Sequence, residues 1–175
     1  MVHYALSQAN QQVKTGVGAY WDRNGDFMGG ITFQYNRVIK DSRFKTSINY
    51  HYHHSKGYTK NYNNGVLVSE IHYNILFHHI SYLFEYTIFR LKKDLYRGLA
   101  VGIGPGYVIS KKSGIKDYCG PGGAIKLEYQ GIIKKDWYYG VEFFGLYFAD
   151  LNKEHMDTTG KLSLMPPTLT IGLRF

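Results

Sequence analysis

The sequence predicts an all-β fold, a transmembrane antiparallel up-and-down β-barrel of eight strands. Three observations lead there. In the final stretch from Pro166 to Phe175, Leu169, Ile171, Leu173 and Phe175 fall on one side, and Thr168, Thr170, Gly172 and Arg174 on the other. Side chains along a strand point alternately to its two faces, so this segment is a strand with one greasy face and one polar face. Similar alternating segments recur along the 175 residues, separated by turn-forming residues. Aromatics make up 17% of the chain, with 17 Tyr and 10 Phe against 2 Trp, and Tyr suits a position where one end of the ring is apolar and the other wet.

The remaining composition fits that class. Mean hydropathy is −0.31, because in a barrel only alternate residues meet lipid. No run of roughly 18 apolar residues occurs, so no transmembrane helix is expected. The net charge of +8 raises the question of nucleic acid. The lysines sit in pairs at turns instead (Lys92-Lys93, Lys111-Lys112, Lys134-Lys135), where they suit lipid phosphates, and no nucleic-acid motif is present. Cys119 is the single cysteine, which excludes an internal disulfide and a cysteine metal cluster. It lies in a Gly-rich segment, 117–123, that reads as a loop. Residues 1–12 read as an N-terminal segment before a barrel over 13–175. They lack a long apolar stretch of the export-signal type, and Ser7-Gln8-Ala9 resembles the end of a cleavage site, so a mature or edited form is expected.

The strands can be placed in order. The first is expected at 13–22, with Val13, Thr15, Val17 and Ala19 outward, followed by a turn at Arg23-Asn24-Gly25-Asp26. The second is expected at 27–37, with Phe27, Ile31, Phe33 and Tyr35 outward. The third, 43–53, alternates most clearly: Phe44, Thr46, Ile48, Tyr50 and Tyr52 against Lys45, Ser47, Asn49, His51 and His53. Residues 66–91 are long enough for two strands, but a ninth strand would break the up-down parity. Asn64-Gly65 is a two-residue hairpin signal. Folding there sets His51 against His78, and a bulge at His78-His79 restores the phase, so that Phe44 meets Tyr86 and Lys45 meets Glu85. On this reading Ile71, Tyr73, Ile75 and Phe77 face outward, and a tall extracellular hairpin stands at about 54–76.

The fifth strand is expected at 97–110, with Gly98, Ala100, Gly102, Gly104 and Gly106 all inward. The sixth, 124–133, turns Lys126, Glu128 and Gln130 inward. The seventh is expected at 137–148, then a polar loop over 151–165, then the closing strand. Turns near Lys40, Lys93 and Lys135 are short and loops near Asn64, Lys116 and Met156 longer, which puts Phe175 at the periplasmic rim.

The interior of an eight-stranded barrel is about filled by its own side chains, and buried charge must be paired. The expected lumenal ion network is Lys45, Glu85, Lys126, Glu128, Glu142 and Arg174, with Lys14 close in register. Glu128 and Glu142 could form an acid/base pair, but a structural network is the preferred reading, and no catalytic residue is assigned. Six histidines gather on one hairpin, and His51, His53 and His78 are the ones that could meet on a metal. Strand pairing brings only two or three to one face, and no Asp or Glu completes a set, so no metal or other cofactor is expected. Gly102-Ile103-Gly104-Pro105-Gly106 lies inside a strand and opens no helix, which argues against a phosphate cradle.

The chain resembles the small eight-stranded outer-membrane barrels of Gram-negative bacteria, those of the Bacteroidetes group in particular. The segments that carry the likeness are 102–107, Lys126-Leu127-Glu128-Tyr129 and Leu169-Thr170-Ile171-Gly172-Leu173-Arg174-Phe175. The resemblance implies an integral outer-membrane protein in contact with lipid and lipopolysaccharide. It implies that Leu169, Ile171, Leu173 and Phe175 are the signal engaged by the barrel-assembly machinery. Lipid A deacylases of similar size carry a His-x-Ser-Asn motif, and the segment 150–157 lacks the Ser. The residues of the lipid A palmitoyltransferases cannot be carried over either. The expected function is that of a non-enzymatic scaffold or interaction subunit, with a larger outer-membrane protein complex as its candidate setting. The alternatives are a lipid A-modifying hydrolase or acyltransferase, and a narrow pore.

Overall fold

A computed structural model describes residues 10–21, 27–39, 42–91, 94, 96–113, 117–148, 162–164 and 167–175. The elements are β1 (Gln11–Trp21), β2 (Phe27–Val38), β3 (Phe44–Asn63), β4 (Val66–Arg90), β5 (Gly98–Lys112), β6 (Tyr118–Lys134), β7 (Trp137–Phe148), β8 (Leu162–Leu164) and β9 (Thr168–Arg174). Each strand from β1 to β7 pairs antiparallel with the next, and β9 pairs with both β7 and β1, which closes the sheet on itself. Short β8 continues the stave of β9 along β7, pairing with Gly145–Tyr147 where β9 stops at Glu142. Pro167 between them has no N–H to give the ladder. The result is an antiparallel ring of eight staves, the fold class read from the sequence.

The alternation of the sequence becomes the two sides of the wall. Val17, Ile48, Ile103 and Leu169 lie on the outside at 62%, 51%, 65% and 64% exposure. Lys14, Asn49, Glu128 and Thr168 lie inside, almost fully buried. The outward band is apolar and aromatic, the surface that hydrocarbon requires.

The β3–β4 hairpin is the outlier in height. Flanking strands leave it at Phe27↔Lys56 on one side and Ile75↔Lys112 on the other, while its own ladder continues to Asn63↔Val66. Asn64 and Gly65 turn the chain with φ of 49° and 80°, as a two-residue Asn-Gly turn needs. The register slip between β3 and β4 falls at Asn61/Tyr62, near this tip, and not at His78-His79. That difference has a consequence inside the barrel. With no bulge at His78-His79, Ile75 and Phe77 share the face of His79, Ser81, Leu83 and Glu85, and both are buried inside rather than turned to lipid. His51 accordingly stands opposite His79, and Tyr52 opposite His78.

Two further expectations are corrected. The Gly-rich segment begins β6, with Cys119 paired to Ile109 and its thiol 3.1 Å from the Tyr107 hydroxyl. Glycine-rich sequence can pair as a strand when its neighbour supplies the register. Within 151–165, Leu162–Leu164 is strand. The turn at 23–26, the cleavage-like Ser7-Gln8-Ala9, most of the 1–12 segment, and the positions Lys40, Lys93, Lys116 and Met156 lie outside the described residues.

Candidate functional site

The lumen is built in three layers. The end that carries Phe175 is closed by Val38, Tyr96 and Tyr138, packed together and buried. The Tyr138 hydroxyl donates to Asp94 at 2.9 Å, and Arg174 reaches Asp136 at 3.0 Å and Asp94 at 3.8 Å. Arg174 therefore does not join the central network. It pairs with Gln12 at the last rung of the β1–β9 ladder, level with the β6–β7 turn that carries Asp136. Burial pushes the Tyr96 phenol above its ordinary range.

The middle layer is ionic. Lys126 forms an ion pair with Glu85 and lies 3.4 Å from Glu128. Lys45 lies 3.3 Å from Glu85, its cross-strand partner. Lys14 forms an ion pair with Glu128 and lies 3.9 Å from Glu142. Neutral side chains add one hydrogen bond to each carboxylate: Ser47 donates to Glu85 at 2.5 Å, Gln130 to Glu128 at 2.7 Å, and Gln34 to Glu142. Lys14, Lys45 and Lys126 thus balance Glu85, Glu128 and Glu142, all at 3% exposure or less. A buried pair needs its remaining lone pairs and protons met, and the Ser and Gln side chains do this for one oxygen of each carboxylate; Glu85 Oε2, Glu128 Oε2 and Glu142 Oε1 have no hydrogen-bond partner among the described residues. Gly102 makes room for this layer, since a Cβ there would come within 2.9 Å of the Glu85 side chain. Strand counting gives Lys14 only a supporting place, yet it bridges two carboxylates. The missing signal is the height at which β1 meets the opposite wall, which pairwise register does not reveal.

Above the network the lumen is apolar. Ile75, Phe77, Leu83, Val108, Ala124, Phe144 and Leu146 form one buried cluster with Met28 against it. His51, His53 and His79 line the β3–β4 side of this layer. His78, expected beside His51, lies on the outer side of the wall, 2.9 Å from the Tyr50 hydroxyl. Among the described residues, no three His, Cys, Asp or Glu side chains already converge as a metal set. Among the described residues, apolar plug, ion layer and tyrosine cap follow one another along the lumen with almost no accessible side-chain surface.

The architecture is that of the small eight-stranded transmembrane barrels. Solved structures with this fold include the attachment invasion locus protein Ail of Yersinia pestis, at TM-score 0.54 and 10% identity, covering 96% of this chain and 99% of that one. Ail in complex with the heparin analogue sucrose octasulfate matches at TM-score 0.54 and 13% identity, with 96% and 99% covered. Neisserial surface protein A matches at TM-score 0.54 and 10% identity, with 94% and 95% covered. These are small outer-membrane barrels of Gram-negative bacteria. No protein-family model matches the chain. No curated protein sequence matches it either.

Proposed function

We propose that this chain is an integral protein of a bacterial outer membrane and acts as a non-enzymatic interaction subunit. The barrel is the anchor and the β3–β4 hairpin is the contact surface. The observation that carries this reading is the contrast between a filled lumen and a hairpin that outruns its neighbours. Among the described residues the flanking strands pair with the hairpin only as far as Lys56 and Ile75, and Val66, Leu67 and Val68 are exposed at its tip. Exposed apolar side chains on a projecting hairpin are what a partner protein uses. The shared architecture with Ail and Neisserial surface protein A supports the membrane setting. Apolar and aromatic residues around the ring would meet lipid and lipopolysaccharide, and Leu169, Ile171, Leu173 and Phe175 would be read by the assembly machinery.

The competing readings gain no support from the geometry. A lipid A-modifying enzyme would need a rim histidine beside a Ser or Asp, whereas His51 lies inside the wall and His78 is engaged by Tyr50. A pore would need an open lumen.

The test is copurification in gentle detergent. The full chain is compared with a variant in which residues 57–73 are replaced by an Asn-Gly turn joining Lys56 to Asn74, a pair already in register. A larger outer-membrane protein held by the full chain and lost from the folded short variant supports the proposal. The same partners on both, or none on either, overturn it.

A further inference from the structure

Three histidines stand apart from the ion network. His51 and His53 are two residues apart on β3, so they share its inner face. His79 is the residue opposite His51 on β4. They are 1%, 2% and 1% exposed. The ring centroids lie 5.9 Å apart for His51 and His53, and 6.1 Å apart for His51 and His79. Among the described residues, none of the six ring nitrogens has a hydrogen-bond partner. Buried polar atoms are almost always satisfied, and a ring with both nitrogens orphaned is expensive to keep. Packing alone would be better served by Phe or Leu, as at Phe77 and Leu83 nearby.

We propose that His51, His53 and His79 form a binding site for one divalent transition-metal ion of the zinc class, held by imidazole nitrogens. Neutral imidazole suits zinc, copper and nickel, and a set of three histidines with an open fourth position is an established zinc arrangement. Calcium and magnesium want six or more oxygen ligands, carboxylates among them, whereas the buried oxygens beside these rings are the uncharged hydroxyls of Ser55, Ser81 and Ser110. The spacing fits. Imidazoles sharing an ion at about 2.0–2.1 Å per nitrogen place their ring centroids roughly 5–6 Å apart. The two ring pairs that include His51 stand near that separation, with His51 and His53 stacked at 11°, so loading the site requires the rings to turn toward one point. Glycine provides the room: a Cβ on Gly30 would meet the His53 ring at 2.6 Å, and one on Gly106 would collide with the His79 ring. Phe144 packs against His51 at 4.0 Å and His79 at 5.5 Å between centroids, and so covers the pair from the apolar side.

The experiment uses the full chain without a histidine tag, folded in detergent, with folding checked by the gel shift between unheated and boiled samples. It is titrated with Co²⁺ for its ligand-field spectrum and with Zn²⁺ by calorimetry. The expected result is one ion per chain, with binding weakened at least tenfold in His51→Gln and His79→Gln and unchanged in His54→Gln and His78→Gln. Should the Gln variants fail to fold, His51→Phe and His79→Phe keep the ring volume beside Phe144. Zn²⁺ should then raise the Tm of the wild-type barrel and leave that of the Phe variants unmoved. Absence of binding by the folded wild-type chain overturns the proposal, as does binding that survives loss of His51 and His79.

Discussion

Glu128 on β6 and Glu142 on β7 are direct cross-strand partners, and the Lys14 ammonium from β1 lies between them and reaches both carboxylates. Two like charges directly opposite one another are unfavourable, so this arrangement depends on the cation. Replacing Lys14 by Met keeps the length of the side chain and removes the charge. It should cost about 3–5 kcal/mol, the usual penalty when one partner of a buried pair is deleted. Urea unfolding in lipid vesicles measures it. The double variant Lys14→Met with Glu128→Gln should recover part of the loss, and a double variant no better than the single would contradict the coupling.

Gly102 is the packing counterpart of that network. A Cβ at this position falls 2.9 Å from the Glu85 Cγ, so Gly102→Ala forces the carboxylate to shift. Overpacking of a filled interior typically costs about 1–3 kcal/mol. A larger residue such as Leu should prevent the folded gel shift altogether. An unperturbed Gly102→Leu barrel would show that the ionic layer is looser than its geometry implies.

The outer wall and the hairpin tip should respond differently to charge. Ile48 is on the outer side of β3, within the ring, and Val66 is at the tip. An Arg at the bilayer midplane of a barrel costs about 2–4 kcal/mol, whereas an exposed surface site away from special features changes stability by about 0.5 kcal/mol or less. Ile48→Arg should therefore destabilise the barrel in vesicles and Val66→Arg should not. Equal effects would place the tip in the membrane.

A filled lumen predicts electrical silence. In planar bilayers the folded chain should show no stable single-channel conductance at low or high salt. A reproducible conductance step would mean that the Phe144 and Leu146 plug, or the Lys126 ion pairs below it, open in the membrane.

The limits of reading this fold from sequence are clearest on β4. The alternation of lipid-facing and lumen-facing residues is legible on most strands, because a greasy residue beside a polar one has only one sensible orientation. The pairing of Phe44 with Tyr86 also follows from the Asn64-Gly65 turn once one residue of slip is allowed. The position of that slip is not legible. Ile75 and Phe77 look lipid-facing to any rule that equates apolar with outside, and that rule puts the bulge at His78-His79. The upper lumen is itself apolar, so the rule fails there and the slip lies at Asn61/Tyr62. The charged site was partly legible for a related reason. Buried charges must be paired, but which cation meets which carboxylate depends on heights around a closed ring. Arg174 shares a face with Lys14 and Lys126 by strand counting, and still ends beside Asp94 and Asp136 at the rim.

The pairing of β1 with β9 joins the two ends of the described sheet, and β1 carries Lys14. A sheet left open at this seam would hold Glu128 and Glu142 side by side and one positive charge short. The same strand contact that closes the ring therefore also balances the charge on its far wall, so closure and neutrality are tied to one seam.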